Sequence, residues 1–177
     1  AVKLAGGELL SYRLEEENDW HPDIEAWKQM IEQYNAQSGG KVKLLFLNYP
    51  HMPTGQLPNK QLLQAIIDFA KDNNILIVHD NPYSFILNDE PLSLFEFDKN
   101  KEVVVELNSL SKSHNMAGWR VGMIVGSSAH INAILRFKSN MDSGMFLPVQ
   151  VAAAKALELD QDWFDMVNEI YAQRKEQ

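Results

Sequence analysis

Residues 103–122 read Val103-Val104-Val105-Glu106-Leu107-Asn108-Ser109-Leu110-Ser111-Lys112-Ser113-His114-Asn115-Met116-Ala117-Gly118-Trp119-Arg120-Val121-Gly122. The apolar run Val103 to Leu107 predicts a buried strand. One lysine between hydroxyl residues follows, then a small-residue turn, then an arginine before a second apolar run, Val121 to Val125. A lysine at the mouth of a buried sheet can lose part of its charge to desolvation and become a nucleophilic amine. Neighbouring hydroxyls and a guanidinium are what a phosphate needs. The combination suits a phosphorylated aldehyde held by the amine. Taken by residue type alone, the same stretch also suits an exposed loop with a solvated lysine.

Upstream, the pattern alternates. Ala1 to Gly7 reads as the tail of a strand, Leu9 to Leu14 as weakly extended and Glu15 to Trp20 as a polar turn. Pro22 suits a first helical residue, with Ile24, Trp27, Ile31 and Tyr34 at helical spacing and Gly39-Gly40 as the stop. Lys41 to Asn48 carries a continuous apolar run, as expected of a strand covered on both faces. Prolines make Tyr49 to Pro58 a loop. Asn59 to Asn74 has the broad apolar face of a helix, and Ile75 to Val78 is a second strand, ending at His79-Asp80.

Downstream of the quoted stretch, Gly126 closes the fourth strand and Ser127 or Ser128 can cap a helix with Ile131, Ile134, Leu135 and Phe137 at its apolar positions. Ser143-Gly144 interrupts, Pro148 to Leu159 is a second helix and Asp160 to Gln177 an amphipathic third. This alternation predicts an α/β fold: a three-layer, mostly parallel sheet flanked by helices. Ligands of such sheets sit beyond the carboxyl ends of the strands. Asn48, then Asp80 and Tyr83, then Ser109, Ser111 and Lys112 all fall there.

Composition narrows the function classes. The chain has 177 residues, 45% of them hydrophobic, which suits one globular domain. Its net charge of -8 argues against nucleic acid or an anionic membrane as partner. Zero cysteines exclude a disulfide scaffold and fit a cytoplasmic protein. No apolar run approaches the roughly eighteen residues of a membrane span. The five histidines lack metal-ligand spacing, so no metal site is expected.

Several blocks together carry a resemblance. Ser109-Leu110-Ser111-Lys112-Ser113 with Met116-Ala117-Gly118-Trp119-Arg120-Val121-Gly122 resembles the lysine signature of the class I/II, fold-type-I aminotransferases that depend on pyridoxal 5'-phosphate. Asn48-Tyr49-Pro50-His51-Met52-Pro53-Thr54-Gly55 is similar to their proline-rich loop, and Asp80-Asn81-Pro82-Tyr83 to their aspartate-x-x-tyrosine. Lys138-Ser139-Asn140 and Ser143-Gly144 also fit.

The resemblance implies amino-group transfer between an amino acid and a 2-oxo acid, in a homodimeric parent. Lys112 would hold the cofactor as a Schiff base and later move protons. Asp80 would pair with the pyridine nitrogen, and Tyr83 would bond the ring's phenolic oxygen. Ser109 and Arg120 would hold the phosphate. Ser111 would order the loop, and His114 is expected to be an exposed loop residue. By residue type alone, Asp80 also suits a turn cap, Tyr83 packing, and Arg120 a surface ion pair.

Two departures stand out. Met52 occupies a position where the family has asparagine, and a thioether cannot donate a hydrogen bond. The match also covers only the central part of the family's large domain, so residues 1–177 read as a partial cofactor-binding domain without the N-terminal segment or the C-terminal small domain. Weak or absent turnover is expected of such a piece alone. Competing activities on the same fold are a carbon–sulfur lyase, a decarboxylase, or the aminotransferase-like domain of a transcriptional regulator. A cofactor-free scaffold is the remaining alternative, against which the intact Lys112, Asp80, Tyr83 and Arg120 argue.

Overall fold

The structure, a computed structural model, describes residues 2–177. The chain divides into two compact units, one up to Val42 and the other Lys43–Gln177.

In the first unit, the strand expected over residues 1–7 does not form where the chain is described. A 3-10 turn, Lys3–Ala5, ends at Gly6, whose φ of 78° reverses the chain; Ala1 lies outside the described residues. Residues 9–14 join no sheet. The polar segment after them folds as a second 3-10 turn, Glu16–Asn18. Helix α1, Ile24–Ser38, starts later than Pro22 because Asp23 caps it. The Asp23 carboxylate accepts from the amides of Glu25 at 2.9 Å and Ala26 at 3.1 Å. Trp27 and Ile31 are buried, and Tyr12 meets the Trp27 ring edge-on at 4.9 Å.

The second unit holds four strands in the order β1-β2-β3-β4: β1 Leu44–Asn48, β2 Leu76–Asp80, β3 Val104–Ser109 and β4 Gly122–Gly126. The first three are parallel, and β4 runs antiparallel to β3. The sheet is therefore mixed, with helices in the connections. Helix α2, Lys60–Asn73, links β1 to β2 and buries Leu63, Ile66 and Ile67 completely, each worth about 1.5–3 kcal/mol. Asn59 caps its start by accepting from the Leu62 amide at 2.7 Å.

The register sets Leu45, Ile77 and Val104 side by side, then Leu47, His79 and Glu106. All six are buried. The other face of β1 is not covered as the continuous apolar run had suggested, since Leu44 and Phe46 are 49% and 52% exposed. Helix α3, Leu110–Ser113, is one short turn after β3. Leu110, Met116, Val121 and Ala153 form a buried cluster beneath it, so α5, Leu147–Ala156, supports the lysine turn. Helix α4, Ser128–Met141, is capped by Ser127 but buries none of its residues, leaving Phe137 71% exposed. Helix α6, Gln161–Lys175, buries Val167. Among the described residues no helix is long and apolar enough to cross a membrane.

Candidate active site

The carboxyl ends of the parallel strands are tied to one another by asparagines. Asn48, at the end of β1, donates to the Asp80 carbonyl at 2.9 Å and accepts from the Met52 amide at 2.8 Å. Asn108, on β3, donates to the Asn81 carbonyl at 3.1 Å. Each staple spans from one strand end to the next. The Asn48 amide that sequence reading placed among the ligand-facing groups is thus consumed in fixing the edge.

On that edge stand Asp80, Tyr83 and Lys112. Asp80 is the last residue of β2, in register with Leu107, two residues before the end of β3. Lys112 projects from α3, and its Nζ lies 5.7 Å from the centroid of the Tyr83 ring, within cation–π range. Of the two settings that residue type allowed Lys112, a desolvated strand mouth or a solvated loop, the side chain is in the exposed one. Among the described residues, the Asp80 carboxylate, the Tyr83 hydroxyl and the Lys112 ammonium enter no hydrogen bond or ion pair. Their polar capacity is unspent, so an amine, a carboxylate and a phenol hydroxyl are open to a ligand at one strand edge.

Ser109 is committed locally. Its hydroxyl accepts from the Ser111 amide at 3.1 Å and donates to the Val121 carbonyl at 3.3 Å, capping α3. Ser109, rather than Ser111, orders this turn, while keeping one lone pair for a further donor. Arg120 is exposed, at the far end of the same loop, with φ of 55°. It donates once, to the Ala117 carbonyl at 2.8 Å, leaving most of its five N–H groups for an anion. A left-handed arginine is uncommon and marks a conformation that its surroundings impose. Gly122 follows because a Cβ there would sit 2.9 Å from the Asn108 carbonyl oxygen.

Two features escaped sequence reading. His114, expected to be exposed, is buried: its Nδ1 is 2.8 Å from the Ser113 hydroxyl and its ring meets Phe164 edge-on at 5.6 Å. Burial holds its imidazole below the usual value, with a backbone hydrogen bond to Ala156 opposing. The second is a buried polar group beneath the edge. His79 donates through Nε2 to the Tyr49 carbonyl at 3.0 Å, and its Nδ1 lies 3.2 Å from Glu106 Oε2. That carboxylate also accepts from the Ser93 hydroxyl, the Leu94 amide and the Asn81 side chain. Burial alone would raise the Glu106 carboxyl; the bonds and charge of His79, with Ser93 and Asn81, overcome it and hold the group below its usual value. The available signal was a glutamate inside an apolar strand and a histidine on a neighbouring one.

With this geometry in place, the model of one family, described as aminotransferase class I and II, matches residues 1–177. The chain belongs to the class I and II aminotransferase family. Among its aminotransferase relatives, an LL-diaminopimelate aminotransferase of Dehalococcoides mccartyi is 40% identical over 176 residues, covering 98% of this chain and 44% of that protein. One of the same name from Aquifex aeolicus is 35% identical, covering 97% and 43%. Of solved structures, substrate-bound BacF from Bacillus subtilis has a TM-score of 0.87 at 36% identity, covering 98% of this chain and 42% of that one. An aspartate aminotransferase of Thermus thermophilus has the same TM-score at 26% identity, covering 99% and 44%. This aminotransferase-family chain thus spans less than half the length of the curated relatives it matches.

Proposed function

We propose that the protein is an aminotransferase that uses pyridoxal 5'-phosphate to move an amino group from an amino acid to a 2-oxo acid, with residues 1–177 forming part of its cofactor-binding domain. The reading is carried by the Lys112 amine standing 5.7 Å over the Tyr83 ring with Asp80 on the same strand edge, all three with polar groups unspent. When bound, the cofactor supplies an electron sink for the charge left on an α-carbon that loses its proton.

The chain's own residues divide the remaining work. The Lys112 amine would hold the cofactor through its aldehyde and, when free, would carry the α-proton. The Asp80 carboxylate would accept from the ring nitrogen and favour its protonated form. The Tyr83 hydroxyl would donate to the ring oxygen. The remaining donors of Arg120 would hold the phosphate in pairs, with Ser109 beside them. Met52 offers the ring oxygen no donor, which leaves that contact to Tyr83.

Relatives named LL-diaminopimelate aminotransferase and a neighbour named aspartate aminotransferase support an amino acid as the donor. The test is direct. Added pyridoxal 5'-phosphate is expected to give a yellow adduct that borohydride fixes on Lys112, absent in Lys112→Ala, and an amino acid is expected to convert it to pyridoxamine phosphate. Release of ammonia and a 2-oxo acid from a single amino acid, without pyridoxamine phosphate, would assign a lyase instead. Borohydride fixation spread over other lysines would refute the site.

A further inference from the structure

Helix α6 reaches two loops distant in sequence. The Trp163 indole donates to the Ser113 carbonyl at 2.9 Å, one residue beyond Lys112. Asn168 accepts from the Leu87 amide at 2.8 Å and donates to the Phe85 carbonyl at 3.1 Å, so one side chain pairs with backbone as a neighbouring strand would. Between them, the Phe164 ring stacks on Phe85 at 5.0 Å and meets His114 edge-on at 5.6 Å. Phe164 and Asn168 are four residues apart and share a helix face. Leu87 has φ of 47°, a conformation unfavourable for leucine that the Asn168 bond helps to hold.

One loop carries Tyr83 and the other carries Lys112. We propose that Trp163, Phe164 and Asn168 are positioning residues, which set the distance between the Lys112 amine and the Tyr83 ring by latching both loops to α6. The role of that distance rests on the cofactor reading above; the latch itself does not. Neither loop bonds the other through its own side chains beyond the Lys112–Tyr83 contact among the described interactions. The β2–β3 pairing and the Asn108 staple fix where both loops begin, and α6 adds a link between their outer parts.

The discriminating signature is a cross-effect. Asn168→Leu removes bonds only to the 85–87 segment, and Trp163→Phe removes a bond only to the lysine turn. In the cofactor-free protein, amide hydrogen exchange reports loop release, and acylation of Lys112 by a neutral amine-reactive reagent, relative to the exposed Lys41, reports its surroundings. Asn168→Leu, which removes two hydrogen bonds, is expected to change Lys112 acylation by at least about fivefold, and Trp163→Phe, which removes one, to speed exchange at Leu87 about fivefold, the factor that one net hydrogen bond is worth. Asn168→Asp keeps the acceptor for Leu87 and is expected to recover part of the Lys112 effect.

Faster exchange confined to the loop that each variant touches, with Lys112 acylation unchanged in Asn168→Leu, overturns the proposal and leaves α6 a packing helix. If either variant fails to fold, Asn168→Asp and the other carry the same comparison. With the cofactor added, the pH midpoint of the yellow colour is expected to move in both variants. A parent that shows the cross-effect but no borohydride-fixable colour would remove the cofactor reading and keep the latch.

Discussion

Replacing Glu106 by alanine tests the buried network beneath the site most severely. Its carboxylate is the shared acceptor for His79 Nδ1 at 3.2 Å, the Ser93 hydroxyl at 2.9 Å, the Leu94 amide at 3.2 Å and the Asn81 amide at 3.3 Å. Its partner His79 is fully buried and Glu106 is 8% exposed, so water cannot replace what is lost. Leaving the donors of His79, Ser93, Leu94 and Asn81 without their shared acceptor costs several times the loss for one buried group, about 3–5 kcal/mol in all. Glu106→Gln keeps the shape and one acceptor and is expected to cost less, about 1–3 kcal/mol.

Urea unfolding followed by circular dichroism measures both, and pH supplies the sign. The folded-state value of Glu106 lies below its ordinary 4.5. Its contribution is therefore fully present above that ordinary value and is lost as pH falls through the folded one. The gap between parent and Glu106→Ala should shrink as pH falls through the acid range. An alanine variant within 1 kcal/mol of the parent, or a gap that widens below pH 4.5, would refute the reasoning.

Two further outcomes follow from the site. Gly122→Ala places a Cβ 2.9 Å from the Asn108 carbonyl oxygen across the β3–β4 ladder; it is expected to destabilise by about 1–3 kcal/mol, measured by the same unfolding assay, and a neutral result would show that the ladder yields. Met52→Asn would add a side-chain donor at that position and is expected to shift the pH midpoint of the yellow, Lys112-fixed colour; coincident titrations of variant and parent would overturn the role given to position 52.

The strand ends were legible because they depend on local chemistry: Asp80, Tyr83 and Lys112 fall where short apolar runs end. The Asp23 cap was not, because Pro22 beside it also suits a helix start. What stayed hidden depends on pairing across distance. Five apolar residues read alike in either direction, so the antiparallel sense of β4 is invisible until Ser109 faces Gly122. His79 and Glu106 are 27 residues apart and meet only through the parallel register. His114 looked like a loop histidine because Phe164, which covers it, comes 50 residues later. The outer face of β1 was misread for a related reason: apolar residues can face outward as well as inward, and Leu44 and Phe46 do.

The pairing of Ser109 with Gly122 also means that the intervening loop leaves the sheet and returns to it at one rung. Lys112 and Arg120 are therefore marks on a ruler clamped at both ends. A molecule that touches both is measured by length before it is sorted by any other property. Slipping β4 by a single residue would turn its side chains over, so the gauge cannot be lengthened gradually; it holds its setting or breaks.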